Sequence, residues 1–132
     1  MLISSMGRYA VLILLDLAEH RGGFVPVRQI AERQELSQKY LERILRTRTE
    51  RGLVEGTHGK GGGYRLTKKP EQYRISDILR LTEGDLAPVA CLECNAEKCV
   101  RTAECRTLPM WMELNRRVNE YLDSVTIADL MK

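Results

Sequence analysis

An almost wholly apolar stretch from Met6 to His20, a short helix meeting a longer one at a tight turn, and a basic hairpin with a glycine tip predict a mainly α fold, a winged helix-turn-helix. Near the C-terminus, Trp111, Leu114, Val118, Tyr121 and Val125 recur by three and four, which adds a long helix with an a/d seam. The 132 residues suffice for one domain with an appendage and for a modest core without disulfides.

Each element follows from local chemistry. Met6 to His20 has the pattern of a helix buried on most of its circumference, and Arg21-Gly22-Gly23 ends it. Pro26 suits a first helical turn, and Val27, Ile30 and Ala31 follow at i, i+3 and i+4, so a short helix is expected to about Gln34. Ser37 is a good N-cap, and Leu36 can staple onto Leu41. A third helix follows with Leu41, Ile44 and Leu45 inward and Gln38, Lys39, Glu42, Arg43 and Arg46 outward. Strands are expected over Gly52–Gly56 and Tyr64–Leu66, joined by His58-Gly-Lys-Gly-Gly-Gly63 as a wing. The glycine run also fits a flexible loop. It does not fit the phosphate loop of a nucleotide enzyme, because it matches neither G-x-x-x-x-G-K-[ST] nor a G-x-G-x-x-G that leads from strand to helix. Ile75 to Leu81 is expected to be helical, with Ser76 as N-cap and Gly84 and Pro88 ending it. Pro109 to about Val125 carries the seam. Two heptads are too few for a free-standing coiled coil, and a helix packed on its own core is equally consistent. Thr126-x-x-Asp129 makes a capping box for a last helical turn.

The formal charge of +3 is unevenly spread. Residues 24–69 hold eleven Lys/Arg against five Asp/Glu, whereas residues 70–132 hold eight against eleven. A basic middle suits a polyanion, although a solvated helical face has the same composition. The apolar run Val11–Leu15 is far short of the roughly 20 residues of a membrane span and lacks a small-residue cleavage site, so a soluble cytoplasmic protein in a reducing compartment is expected. The two histidines, His20 and His58, lie in different elements with no carboxylate pair or nucleophile elbow beside them, which argues against an enzyme.

All four cysteines fall within fifteen residues, Cys91, Cys94, Cys99 and Cys105, spaced C-x2-C-x4-C-x5-C. Thiols that staple a small secreted fold are scattered, whereas thiols this close can converge on one ion or cluster. Only Cys91 and Cys94 form the short hook of a common zinc module. The intervening residues are polar without helix or strand period, so an irregular, partly exposed loop is expected, its thiols ionising readily near Lys98, Arg101 and Arg106.

Gly7-Arg-Tyr-Ala10, Tyr40-Leu-Glu42, Gly52-Leu-Val54, Gly61-Gly-Gly-Tyr64 and Leu122-Asp-Ser-Val-Thr126 resemble, in order and over nearly the whole chain, the Rrf-two family of bacterial winged-helix regulators. The resemblance implies a homodimer joined by the C-terminal helix through Trp111, Leu114, Val118 and Tyr121. It places the third helix in the major groove of double-stranded DNA with a pseudo-palindromic operator, and the wing at the minor groove. The residues expected at DNA are then Ser37, Gln38, Lys39, Tyr40, Glu42 and Arg43, with His58 and Lys60 on the wing. The implied domains are residues 1–84, the DNA-binding winged helix; 85–107, the cluster-binding loop; and 108–132, the dimerisation helix and its cap. Iron–sulfur members of the family use three cysteines and a fourth, non-cysteine ligand. Here Cys99 and Cys105 keep the family's C-x5-C spacing, with Cys91 or Cys94 upstream. Leu108 stands where a histidine serves as ligand in such a relative, so the spare thiol is expected to complete an all-cysteine site. A second departure is His58, where a wing arginine is usual.

These readings combine into a dimeric transcription regulator, possessing a repressor's architecture, controlled by an iron–sulfur cluster of two or four irons at Cys91, Cys94, Cys99 and Cys105. One alternative keeps the regulator but replaces the cluster with zinc or a redox-sensing thiol switch. A different class is a small iron–sulfur carrier, for which the basic hairpin would be accidental.

Overall fold

The computed structural model describes residues 3–93, 101 and 103–132. In chain order its elements are α1 (Ser5–Glu19), α2 (Val27–Gln34), α3 (Gln38–Glu50), β1 (Val54–Thr57), β2 (Gly63–Leu66), α4 (Ile75–Glu83), α5 (Leu108–Ser124) and α6 (Ile127–Leu130). Single 3-10 turns over Pro70–Gln72 and Ala90–Leu92 link them. The expected mainly helical winged architecture is present. β1 and β2 pair antiparallel in the register Val54↔Leu66 to Thr57↔Gly63, one residue further toward the tip than the periodicity suggested.

The core forms around α1. Ala10, Ile13, Leu14 and Leu17 repeat at helical spacing and meet Ile30, Leu41, Ile44 and Leu45 from α2 and α3, and Ile78, Leu79 and Ile127 from α4 and α6. Leu36 packs against this cluster and Leu41 is fully buried, as a staple requires. One acid is buried with them. Asp16 receives Arg33 Nε at 2.9 Å, Arg33 Nη2 at 2.7 Å and Gln34 Nε2 at 3.0 Å, which ties α2 to α1. The carboxyl sits below its ordinary value of 3.8: burial alone would raise it, but the bonds and charge of Arg33, aided by Gln34, outweigh burial.

Helix ends follow side-chain caps. Ser37 Oγ accepts from Tyr40 N at 3.2 Å, and Thr126 and Asp129 form the expected capping box. Ser4 caps α1 by accepting from Gly7 N, while its own hydroxyl and amide donate to the Glu83 carboxylate on α4. Pro26 is the extended residue before α2, one position earlier than expected. Ser76 is not the cap of α4. Arg74 is extended there because its backbone bridges to Thr126 and Ile75 N donates to Val125 O at 2.9 Å, so the helix starts one residue before Ser76. Ser76 lies wholly buried in the first turn, and α4 continues to Glu83 before Gly84. Val125 likewise leaves the seam: it is extended at the end of α5 and packs on the core.

Candidate nucleic-acid interface and cysteine site

The turn between α2 and α3 is closed by Glu35, in the left-handed region at φ 53°. It brings Ser37 to the surface, and Gln38, Lys39, Glu42 and Arg43 stand exposed over the first two turns of α3. Tyr40 differs from these. It is half-buried, packed against the core, with its ring edge-on to Tyr9 at 6.0 Å between centroids, so only its rim faces out.

The wing is held against the body by β2. Val25 N donates to Tyr64 O at 2.8 Å and Tyr64 N to Val25 O at 2.9 Å. This close approach requires glycine at position 63: φ is 146°, and a Cβ there would lie 2.0 Å from Val25 O. His58 and Lys60 occupy the exposed tip. An open groove runs between α3 and the wing, lined by Glu42, Arg46, Thr49, Glu50, His58 and Tyr64, among others. The expected set for the interface lacked Arg46, Thr49 and Glu50. The spacing of 46, 49 and 50 from Glu42, one and two helical turns on, was the available signal.

The positive middle divides into two groups. Arg33 serves Asp16, Arg28 bonds Glu32 at 3.2 Å, and Arg65 bonds Glu55 and stacks over Phe24 at 4.3 Å. Arg48 is buried, its guanidinium bonded to Thr82 and to Ile44 O, and burial pushes its pKa down. By contrast Lys39, Arg43, Arg46 and Lys60 are exposed and make no ion pair among the described residues. Arg51 at the end of α3 and Lys68 and Lys69 after β2 are exposed as well, with Lys68 over the Tyr73 ring, so the cations left for a polyanion lie on α3, the wing tip and the wing root.

Of the four cysteines, Cys94 and Cys99 lie outside the described residues, as does Lys98. Cys91 is exposed within the turn Ala90–Leu92, and Cys105 is half-exposed three residues before α5. Cys105 Sγ lies 3.5 Å from Thr107 Oγ1. That hydrogen bond, with backbone bonds and the charge of Arg101, holds the thiol below its ordinary 9.0. Among the described residues no three His, Cys, Asp or Glu side chains converge on a metal position. The two described thiols nonetheless suit a soft metal or cluster: both are accessible, and one is biased toward the thiolate that ligation requires.

On α5, Leu114 and Tyr121 are 41% and 67% exposed, and Trp111 and Val118 are half-buried. Leu122, with Val125 just beyond, packs on the core instead. Arg80 of α4 anchors the helix by donating to Asn119 at 2.8 Å and Asp123 at 3.3 Å. On the outer surface Arg116 and Arg117 both bond Glu113, lowering its carboxyl to about 2.

A helix-turn-helix with a cation-bearing outer face, beside a basic hairpin fixed to the same body, defines a winged-helix DNA-binding protein. The chain belongs to the Rrf2 family, described as iron-dependent transcriptional regulators, which matches residues 3–132. It is 38% identical over 134 residues to protein rrf2 of Nitratidesulfovibrio vulgaris, covering all of this chain and 88% of that one. It is 35% identical over 132 residues to the HTH-type transcriptional regulator IscR of Aliivibrio salmonicida, covering 99% and 77%. The structure of CymR, the global cysteine regulator of B. subtilis, superposes with a TM-score of 0.80 at 35% identity over 98% of this chain and 95% of that one. The protein is accordingly a transcriptional regulator and not an enzyme. No helix among the described residues is long and apolar enough to cross a membrane.

Proposed function

We propose that this regulator acts in the cytoplasm as a homodimer on pseudo-palindromic double-stranded DNA and answers to an iron–sulfur cluster held by Cys91, Cys94, Cys99 and Cys105. The observation that carries the DNA reading is the groove between α3 and the wing, lined by Arg46 and His58, with Lys39 and Arg43 exposed on the same helix, Lys60 exposed on the wing tip, and none of these Lys/Arg in an ion pair among the described residues. Gln38 and Glu42 stand on the exposed face near the start of α3, where hydrogen-bonding side chains reach base edges, and Glu42 is suited to accept from a cytosine amino group. Lys60 and His58 meet the backbone beside it, positioning without reading sequence. Ser37 caps the helix with its hydroxyl, and Tyr40 offers its exposed rim. The seam residues Trp111, Leu114, Val118 and Tyr121 face the second copy.

When bound, an iron–sulfur cluster supplies a centre whose charge and survival follow redox state and iron supply. The chain's own part is to present thiolates. Thr107 and Arg101 favour that form at Cys105, and Cys91 and Cys105 both lie within the connection that runs from α4 into α5. Tying these thiols together restrains that connection and with it the start of the dimer helix. Family membership favours a regulator over a small iron–sulfur carrier. A zinc or bare-thiol switch at the same cysteines is a second reading, supported by the depressed Cys105 thiol and the likeness to CymR.

Anaerobic purification followed by absorption and electron-paramagnetic-resonance spectroscopy, with DNA footprinting of the same sample, tests the proposal. Cluster spectra, two-fold symmetric footprints and loss of the cluster in each Cys-to-Ser variant are expected. Zinc without iron would establish the second reading, and monomers at micromolar concentration would refute the dimer. A Cys91→Ser or Cys94→Ser variant with a full, stable cluster would refute the all-cysteine site.

A further inference from the structure

Tyr73 is a core residue, 2% exposed, whose hydroxyl emerges at the base of the wing. There it donates to Leu53 O, just before β1, at 2.6 Å. It accepts from Thr67 N at 3.0 Å and Lys68 N at 3.2 Å, just after β2. A phenol has one donor and two acceptor positions, and all three are used on the two roots of one hairpin. The Thr67 side chain reinforces the junction by donating to Gly52 O at 2.6 Å. The backbone of the same tyrosine faces the other way. Tyr73 O accepts from Ile127 N of α6 at 2.9 Å, and its second neighbour Ile75 donates to Val125 O, the residue that follows α5.

We propose that Tyr73 is a positioning residue that sets the wing relative to the C-terminal helices, and so governs the wing's share of DNA affinity. The physical reason is leverage. The hairpin has two strands of four residues and a tip of glycines, too little to be stable alone, so its orientation is set where it is fastened. The Val25–Tyr64 bridge fastens one strand partway along, and the Tyr73 hydroxyl fastens both strands at the root. Because the ring is buried and the carbonyl is bonded to α6, any displacement of the α5–α6 junction reaches the wing through this residue. The DNA half of the proposal rests on the wing contact proposed above; the positioning half does not.

Tyr73→Phe in the full chain keeps the ring and removes the three bonds. Hydrogen exchange of the free protein should show the Lys68 amide exchanging roughly tenfold faster, the Thr67 amide, which keeps a longer bond to Leu53 O at 3.4 Å, faster by less, and the Ile127 amide unchanged, since only the wing root has lost a partner. Affinity for the footprinted DNA fragment should fall roughly fivefold in this variant and should not fall further when it is combined with Lys60→Ala, because both act through the wing. Thr67→Val, which leaves the core untouched, should produce the same pattern more weakly. Equal acceleration at Ile127 would make Tyr73 a general core residue, and unchanged wing amides or fully additive losses with Lys60→Ala would also overturn the proposal. If the wild-type protein failed to bind DNA, the proposed function would fall, while the exchange pattern would still decide the role of Tyr73.

Discussion

Removing the Arg33 guanidinium is the most direct test of how the helix-turn-helix is held. Arg33→Ala leaves Asp16 buried, with its side chain 2% exposed, and only Gln34 to donate to it. Breaking a fully buried pair costs about 3–5 kcal/mol. Here the Arg33 side chain is 32% exposed and Gln34 remains, so a loss of roughly 2–3 kcal/mol is expected near neutral pH. The sign of the pH dependence follows from the lowered carboxyl. In the wild type Asp16 contributes stability that is fully present above its unfolded value, near 3.8, and is lost as pH falls through its lower folded value. In the variant burial, the largest influence, is opposed only by Gln34 and His20, so the folded value rises. The gap between the two proteins should then narrow as pH drops from about 7 toward about 4. Urea unfolding followed by circular dichroism across that range measures it. Asp16→Leu combined with Arg33→Met should recover much of the loss, since an apolar pair can replace a buried ion pair. A loss below about 0.5 kcal/mol, or one independent of pH, would refute the reasoning.

Four further substitutions separate interface from scaffold. Glu42→Ala should relax specificity at one base position by roughly 1–3 kcal/mol, whereas Lys60→Ala should weaken binding to all sequences and reduce the salt slope by about one; binding titrations in which both variants behaved alike would contradict the division of roles. Gly63→Ala places a methyl 2.0 Å from Val25 O at positive φ, between backbones that must stay paired, and should destabilise by at least about 2 kcal/mol in urea melts; an unchanged midpoint would mean the wing is not held through Val25. Ile127→Ala empties a fully buried site between α6 and α1 and should destabilise by about 2–5 kcal/mol, with a loss under about 1 kcal/mol counting against the tight docking of α6.

What periodicity and caps could reveal were the local features. Ser37 and Thr126 cap through partners three residues away, so the starts of α3 and α6 were visible in the sequence. Ser4 caps α1 through an equally local partner, Gly7 N, but what holds its hydroxyl, Glu83 on α4, lies 79 positions along the chain and no spacing points to it. Ser76 misled for the same reason: a serine before an apolar run is a sound N-cap signal, but the Arg74–Thr126 bridge fixes the helix start one residue earlier. The buried Asp16 and Arg48 sit in elements of different character, and no pattern of spacing foretold that one would be paired and the other bonded, among the described residues, to oxygen atoms of Thr82 and Ile44. At the interface the outward face of α3 was legible, but the extension of the groove to Thr49 and Glu50 depends on where the wing folds back.

The two ends of α5 are held differently, and this bears on how a cysteine loop could influence DNA recognition. In its second half Arg80 bonds Asn119 and Asp123, Leu122 packs on the core, and the junction with α6 is bridged to Tyr73 and Ile75. Its first turn follows Cys105 directly, through Leu108 N to Cys105 O at 3.4 Å, and presents Met110 and Met112 each 53% exposed. Exposed apolar side chains of this size are stabilised by burial at about 25 cal/mol per Å², so a second copy lying along the seam gains most where Met110, Leu114 and Tyr121 stand free. In the proposed dimer the half of α5 nearest the cysteines is therefore positioned chiefly by the partner, and the far half by the protein's own winged helix. A restraint on Cys91 and Cys105 then acts at the end of the lever that does not pack on the core among the described residues, and in that dimer a small tilt of α5 there changes the separation of the two α3 helices. Half-site spacing on DNA is sensitive to that separation.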